Sequence, residues 1–323
     1  MKEASVPIAS RSTASPPNHA LRVIAPLAAL VYPAIIWLGS RTSPIVLAIS
    51  LAVPVLGLVV SYRIGLDARF PRARRIAQLA VAAPPMFSLF GGWLDFQHAI
   101  PTGSVGVWIP LWSALTLVAA AERPSAGPPS APGRRLAMAH GLTAAAILLF
   151  VVAHLINHLA GLLGGDAHVA VMHTLRTIYR HPVVEPVLLA AVAFQIATGG
   201  ALLRRARARS TGRFDALQAA TGVYLMLFLL SHTSAVLRAH LRGVDTNWAW
   251  LSGGELLTDP WSARLVPYYF LAVVAFGVHG ACGLRVVALG HGRSPAFGAR
   301  LVVIAAAISV LVSALILAGL FRA

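Results

Sequence analysis

Nine stretches of this chain are apolar enough to cross a lipid bilayer, and they restrict the fold to a helical membrane protein. A membrane-spanning helix needs about 20 mostly apolar residues. Of the 323 residues, 58% are hydrophobic and only 11% are charged, whereas soluble domains have about a quarter charged residues. We therefore expect an all-α integral membrane protein. The nine predicted spans are residues 22–40, 44–62, 76–94, 105–121, 136–162, 183–203, 214–238, 265–287 and 301–320. The third is the weakest, because Pro84-Pro85 and Gly91-Gly92 interrupt it.

The distribution of basic residues predicts the orientation in the membrane. Lys and Arg collect in cytoplasmic loops. With the N-terminus in the cytoplasm, nineteen of these residues lie on the cytoplasmic side and seven on the other. This bias predicts an inner-membrane protein with its N-terminus inside and its C-terminus outside. It also explains the net charge of +16 without a nucleic-acid partner.

A segment rich in proline and glycine, residues 122–135, predicts a linker between two parts. It contains four prolines and two glycines, which disfavour regular secondary structure. We expect a four-span N-terminal part, residues 1–133, and a five-span C-terminal part, residues 134–323. The N-terminal part has no histidine inside a predicted span, and its role is unknown. A structural or partner-docking bundle is the simplest interpretation.

Three spans of the C-terminal part each carry one histidine inside apolar sequence, at His154, His232 and His279. A polar ring at such a depth is costly unless it has a partner or a function. The pattern favours a haem held between the helices of a four-helix bundle, and hydrogen-bonded buried histidines are the alternative. The only cysteine is Cys282, so a covalently attached haem or an iron–sulfur cluster bound by this chain is excluded.

Distances along the helices from the cytoplasmic arginines place two of these histidines at the same depth. The interval from Arg135 to His154 is as long as the interval from Arg213 to His232. Both rings therefore lie about 28 Å from those arginines. Two histidines at one height on parallel helices can bind one iron atom from opposite sides.

A second level is predicted closer to the cytoplasm. The interval from Arg264 to His279 equals the interval from Arg180 to Gln195. These two positions are level, about 22 Å from the outer arginines. An amide is a poor iron ligand, so three alternatives remain: a second haem bound by two ligands, a hydrogen bond between His279 and Gln195, or a five-coordinate haem or other ligand at His279.

Four segments occur in an order that resembles a known family. They are His154-Leu-Ile-Asn157-His158, then Pro182-Val-Val-Glu185 with Phe194-Gln195-Ile-Ala-Thr-Gly199, then Leu217-Gln218-Ala-Ala-Thr-Gly-Val223, and finally His279 before Gly283-Leu284. Over about residues 134–320 they resemble the five-helix, di-haem cytochrome b membrane anchor of succinate dehydrogenase and fumarate reductase. The resemblance implies quinone-linked electron transfer with a cytoplasmic flavoprotein and an iron–sulfur subunit. It implies that His154 and His232 bind the haem distal from those subunits, and that Gln195 and His279 occupy the positions of the proximal ligands.

Other residues are candidates for secondary roles. We expect His158 near the outer surface, within reach of a haem propionate, and Arg180 to contact a propionate or a quinone. The outer connection, residues 163–182, is expected to be a solvated or interfacial loop. In the following outer loop, residues 239–263, Trp248 and Trp250 are expected to be interface anchors. Glycines in the bundle spans either pack helices together or leave room for a porphyrin: Gly199, Gly200, Gly222, Gly277, Gly280 and Gly283.

These patterns predict a membrane b-type cytochrome with one haem b, and two as a possibility. Since the chain has no flavin site or glycine-rich dinucleotide loop, we expect an electron-transfer subunit and not a complete enzyme. The alternative is a haem-free membrane anchor or sensor that keeps the same bundle. A transporter is disfavoured, because the spans contain almost no paired charges.

Overall fold

The described part of the protein is helical throughout. The computed structural model describes residues 19–42, 48–67, 69–94, 103–125, 133–205, 212–252 and 260–321. Every regular element in these ranges is a helix, which confirms the all-α class. The helices are α1 (His19–Leu30), α2 (Tyr32–Thr42), α3 (Ala52–Asp67), α4 (Pro71–Val81), α5 (Ala83–Leu94), α6 (Gly103–Ala121), α7 (Arg134–Ala160), α8 (Gly165–Tyr179), α9 (Val184–Arg205), α10 (Arg213–Leu241), α11 (Trp248–Ser252), α12 (Pro260–Ala263), α13 (Leu265–Gly290) and α14 (Pro295–Phe321), with a 3-10 turn at Gly161–Leu163.

Six to eight of the described helical segments are long and apolar enough to cross a membrane. Six do so as single helices: α6, α7 with the 3-10 turn, α9, α10, α13 and α14. Two more candidates are the bent pairs α1–α2 and α4–α5. The protein is therefore a multi-pass membrane protein. The predicted span 44–62 corresponds to α3, which has only 16 residues, and residues 43–47 lie outside the described ranges.

Both bends lie within apolar sequence, and one has a clear cause. The pair α1–α2 is bent by 44° and the pair α4–α5 by 69°. Pro84 and Pro85 lie in the first turn of α5, where a missing N–H costs little, whereas proline in the middle of a helix breaks it. The interruption expected in the third span is thus found at Ala82, between α4 and α5.

Helix α10 connects the two parts of the molecule. It packs on α9 and α13 of the C-terminal part and on α3, α4 and α5 of the N-terminal part. Ala82 joins Ala220, Tyr224 and Ala272 in one buried cluster that crosses this boundary. The predicted division therefore separates sequence segments that share a buried interface. Most of the predicted linker, residues 126–132, lies outside the described ranges.

The N-terminal part has an aromatic core of its own. Trp108 and Trp112 are fully buried, and their ring centroids lie 5.5 Å apart. Phe87 contacts Trp108 edge-on at 5.3 Å, and Trp108 Nε1 donates a hydrogen bond of 2.8 Å to the Ala29 carbonyl. These contacts hold α1, α5 and α6 together around aromatic rings, with no histidine among them.

The predicted outer loop is mostly a helix, so that expectation was wrong. Helix α8 covers residues 165–179 of the connection. His168 and Met172 are buried on one face of α8, and Asp166 lies in its first turn. Both features favour an amphipathic helix. Gly164 ends the preceding turn with φ of 116°, a conformation that favours glycine.

Candidate functional site

Three helices of the C-terminal part, α7, α10 and α13, carry histidines whose rings lie close to rings on neighbouring helices. Helix α7 packs mainly on α8 and α9, whereas α10 packs on α13. Only Ile147 and Asn157 of α7 are buried. His154, His232 and His279 are half-buried although their rings face other helices of the bundle. Space between facing helices is where bundles hold cofactors.

His154 and His232 form the closest match to the predicted pair of iron ligands. Their ring centroids lie 6.1 Å apart, with 62° between the ring planes. A metal bound by one nitrogen of each ring, with a bond of about 2.0 Å on each side, separates the centroids by roughly 6 Å. The two residues come from α7 and α10, which are far apart in sequence. Their separation is therefore compatible with two imidazoles that bind one metal atom.

Aromatic rings support both histidines. Phe150 stacks on His154 with centroids 5.6 Å apart, and Phe228 stacks on His232 at 5.2 Å. Each phenylalanine lies four residues before its histidine, so the two side chains share a helix face. Tyr269 approaches His232 edge-on at 6.2 Å. These rings fix the imidazoles and surround them with apolar surface.

His158 lies against His154 in the last turn of α7, and its position near the outer surface stays a prediction. The two Nε2 atoms are 3.2 Å apart, so one ring donates its hydrogen to the other. Binding of iron by His154 through Nε2 would replace this hydrogen bond. The Nδ1 atom of His158 is buried and has no hydrogen-bond partner among the described residues, and therefore remains available to a further polar group.

His168 and Trp248 close this histidine cluster on the side of α8. Asn157 and His168 are joined by a hydrogen bond of 3.2 Å, and the Trp248 ring lies 4.8 Å from the His168 ring. A Cβ atom at Gly161 would overlap the Trp248 ring, so glycine is required for this packing. Trp248 is buried, and the expectation of an interface anchor was wrong.

Two arginines of the outer connection pair with residues near the end of α10. Arg176 donates a hydrogen bond of 2.6 Å to Asp245, and this bond is the main reason that the pKa of Asp245 lies below its usual value. The Nη1 atom of Arg180 lies 2.9 Å from His240 Nδ1. The predicted propionate or quinone contact of Arg180 would therefore compete with His240. Glu185 lies in the first turn of α9, where the helix dipole favours a carboxylate.

At the second level, His279 does not contact Gln195. His279 Nδ1 donates a hydrogen bond of 3.0 Å to the Gln218 backbone carbonyl. The Gln195 side chain donates a bond of 2.8 Å to the His140 carbonyl. The hydrogen bond expected between His279 and Gln195 is thus replaced, within the described residues, by bonds to two backbone carbonyls.

The sequence interpretation missed His140, which lies opposite His279. The two ring centroids are 6.5 Å apart, and His140 Nδ1 lies 2.8 Å from Thr198 Oγ1. His140 comes five residues after Arg135 and resembles an interfacial residue. The signal that identifies it is its spacing from His154 along α7. Between the two residues the helix rotates by about 40° less than four full turns, so both rings lie on one face of the helix.

Fold and site define the class: an all-helical, multi-pass membrane protein with paired histidines between its spans. In the described part of the chain, no group of three or more His, Cys, Asp or Glu residues could hold a metal ion. Compared with protein-family models, curated proteins and solved structures, the chain matches none of them.

Proposed function

We propose that this protein is a membrane b-type cytochrome subunit that takes part in quinone-linked electron transfer, with haem b bound between His154 and His232. The observation that carries the proposal is the 6.1 Å separation of these two rings, which belong to two different spans. A bound haem would supply reversible one-electron chemistry in the interior of the membrane.

The residues of the chain would bind and surround this group. His154 and His232 provide nitrogen ligands from opposite sides. Phe150 and Phe228 keep the imidazoles in position by stacking and exclude water from them. An apolar surrounding of this kind controls solvent access and therefore the reduction potential of a metal site.

His158 supports the site in a different way. Its Nε2 atom hydrogen-bonds the His154 Nε2 atom at 3.2 Å, a bond that haem binding would release, and its buried Nδ1 atom has no partner among the described residues. Once His154 binds iron, His158 is available to hydrogen-bond a propionate. The ring of His168, 5.5 Å from that of His158, extends the polar cluster toward α8.

The placement in the membrane belongs to the same proposal. Nine spans, with the N-terminus in the cytoplasm, follow from the nineteen-to-seven distribution of basic residues and put His154 and His232 nearer the outer face. Helix α3, with its 16 residues, is about 24 Å long and would cross by local thinning of the bilayer. A cytoplasmic flavoprotein and iron–sulfur subunit, a quinone and the surrounding lipid are the partners that the family resemblance supplies.

A spectrum and a haem count test this function. The purified wild type should show a reduced-minus-oxidised b-type spectrum. His154→Ala and His232→Ala should each lose one haem per chain, because each removes one of the two ligands. His173→Ala, an exposed histidine of α8, is the matched control and should keep the wild-type haem content. If haem is absent from the wild type, or unchanged in both variants, the proposal is wrong.

The alternative function is a haem-free membrane anchor or sensor. One observation favours it: the Nε2 atom of His154 has a hydrogen-bond partner in the Nε2 atom of His158, so this half-buried pair can be satisfied within the bundle. This alternative predicts a wild type that contains no haem when it is expressed with ample haem supply. The same spectrum therefore separates the two functions.

A further inference from the structure

A second pair of histidines faces each other closer to the other end of α7. The rings of His140 and His279 lie 6.5 Å apart with 82° between their planes. This separation again matches the roughly 6 Å expected when two imidazoles bind one metal with bonds of about 2.0 Å. We propose that His140 and His279 are the axial ligands of a second haem. The inference rests on the proposed haem chemistry of the protein, but on a separate pair of residues.

Hydrogen bonds leave one nitrogen of each ring free to bind a metal. Thr198 Oγ1 donates to the Phe194 carbonyl at 2.6 Å, so it accepts a hydrogen from His140 Nδ1 at 2.8 Å. The Gln218 carbonyl can only accept, so His279 Nδ1 also carries a hydrogen. Both Nε2 atoms are therefore unprotonated. Histidines that bind metals typically donate their second ring nitrogen to a protein oxygen in this way.

Glycine on the neighbouring helices makes room for both rings. A Cβ atom at Gly222 of α10 would lie 2.9 Å from His279 Cε1, and one at Gly199 of α9 would lie 3.6 Å from His140 Cε1. The first distance is too short for any side chain unless the ring moves. Gly222 is therefore required by the position of the His279 ring and is more than an ordinary helix-packing residue.

The residues of this site lie at a similar depth on four different helices. Each of its residues lies five or six positions from an arginine at the same end of the bundle, about 9 Å away along the helix. The residue–arginine pairs are His140 with Arg134, Thr198 with Arg204, Gln218 with Arg213, and His279 with Arg285. Arginine binds carboxylates well, and Arg285 Nε is buried with no hydrogen-bond partner among the described residues. A planar ligand with carboxylate groups, such as haem, fits these surroundings.

His140 takes the role that the family resemblance assigns to the position of Gln195. The Gln195 amide donates to the backbone carbonyl of His140, and so positions the segment of α7 that carries the new ligand. The rise from His140 to His154 along α7 is about 21 Å. Helix α7 thus contributes one ligand to each of two stacked sites, while α10 and α13 contribute the others.

The test is the haem content per chain, together with a potentiometric titration of the visible spectrum. We expect two haems in the wild type and one in His140→Ala and in His279→Ala, with the loss of one midpoint potential. His291→Ala is the matched control, because His291 is exposed at the end of α13 and should leave two haems. His140→Met should keep both haems but raise one midpoint potential, since methionine–histidine ligation raises the potential of haem iron.

The outcomes distinguish this inference from the proposed function. A single wild-type haem that His232→Ala removes and His140→Ala keeps overturns the second site alone. A single wild-type haem that His140→Ala removes and His232→Ala keeps supports the second site and overturns the first. Absence of haem overturns both. If His140→Ala loses both haems through misfolding, His140→Met decides: an unchanged pair of potentials contradicts the inference, and one raised potential supports it.

Discussion

At the scale of single residues, hydrogen bonds determine which histidine nitrogens can bind a metal. His140 and His279 each donate Nδ1 to an oxygen of the protein and keep Nε2 available. His154 instead shares a hydrogen bond with a second histidine, four residues later on the same helix. In the proposed sites, a metal at the second level would leave these hydrogen bonds intact, whereas a metal at the first level would require His158 to release His154.

The sequence predicts His154 and His232 as candidate ligands because both lie deep in apolar segments, where a polar ring is unusual. It does not reveal His140, because a histidine five residues from Arg135 also fits an interfacial position. Nor does it reveal that Gln195 bonds to a backbone carbonyl. Such details depend on how α7, α9 and α13 approach each other, and no local pattern in the sequence encodes that approach.

His168 makes the stability of the protein sensitive to pH. It lies on α8, outside the candidate membrane spans, and burial lowers its pKa, with a further decrease from the positive charge of Arg176. As the pH falls below the ordinary histidine value of about 6.5, the unfolded chain binds a proton that the folded chain resists. The folded state therefore loses stability toward acid pH and keeps it at neutral and alkaline pH.

The measurement is the apparent melting temperature in detergent between pH 8 and pH 5, for the wild type and for His168→Gln. The variant should show a smaller decrease on acidification, because glutamine accepts the Asn157 hydrogen bond without titrating. His173→Gln, on the exposed face of α8, should behave as the wild type does. Equal decreases in all three proteins would contradict this assignment.

At the scale of elements, small residues decide how closely the spans pack. Helices α13 and α14 form an extensive contact. A Cβ atom at Gly277 of α13 would overlap Ser309 Oγ of α14 and lie 3.1 Å from Ser309 Cβ, whereas one at Gly280 would meet nothing within 4 Å. Close approach at small residues is a common basis for association of membrane helices. The two glycines therefore have different roles, although they lie three positions apart.

Gly277→Ala should destabilise the protein by about 1–3 kcal/mol, because overpacking forces the two helices apart. Gly280→Ala is the matched control and should be neutral or slightly stabilising, since alanine favours a helix over glycine. Thermal unfolding of both variants in the same detergent checks this difference. Identical melting temperatures would mean that α13 and α14 adjust without cost.

Helix α8 shows where pattern recognition failed at this scale. The connection that contains α8, residues 163–182, resembles a loop in sequence because it joins two strongly apolar spans. It also contains the polar residues His168, His173, Arg176 and Arg180. The 15 residues of α8 are too short and too polar to cross a membrane, but they bury one face. That face covers the histidine cluster, and recognising it required knowledge of what lies beneath it.

At the scale of the whole molecule, the two parts are joined by more than the linker between them. Arg238 of α10 donates a short hydrogen bond to the Gly92 carbonyl of α5, and its guanidinium group lies 4.7 Å above the Trp93 ring. On the opposite side, Arg75 Nη2 donates a bond of 2.5 Å to the Leu203 carbonyl. These contacts tie the N-terminal and C-terminal parts together at both ends of the interface.

Cleavage of the linker tests whether these contacts hold the two parts together. A protease site introduced between Ser125 and Gly133 should leave the cut halves associated in mild detergent. Arg238→Leu should reduce the recovery of the N-terminal half with a tagged C-terminal half, because a hydrogen bond from a charged group contributes about 1.5–3 kcal/mol. Arg300→Leu removes an exposed arginine and should not change the recovery. Wild-type halves that separate spontaneously would show that the linker alone joins them.

The position of α10 has a consequence for biosynthesis. Ala121 ends the last helix of the N-terminal part, and Leu241 ends α10 much later in the chain. At about 5–20 residues per second, the ribosome delivers α10 on the order of ten seconds after α6. During that interval the surface of α3, α4 and α5 that will receive α10 has only lipid, or a helper protein, to cover it. The N-terminal spans are therefore inserted first, but their contacts with α10 form only after α10 has been synthesised. Assembly of the two parts is thus a single late event.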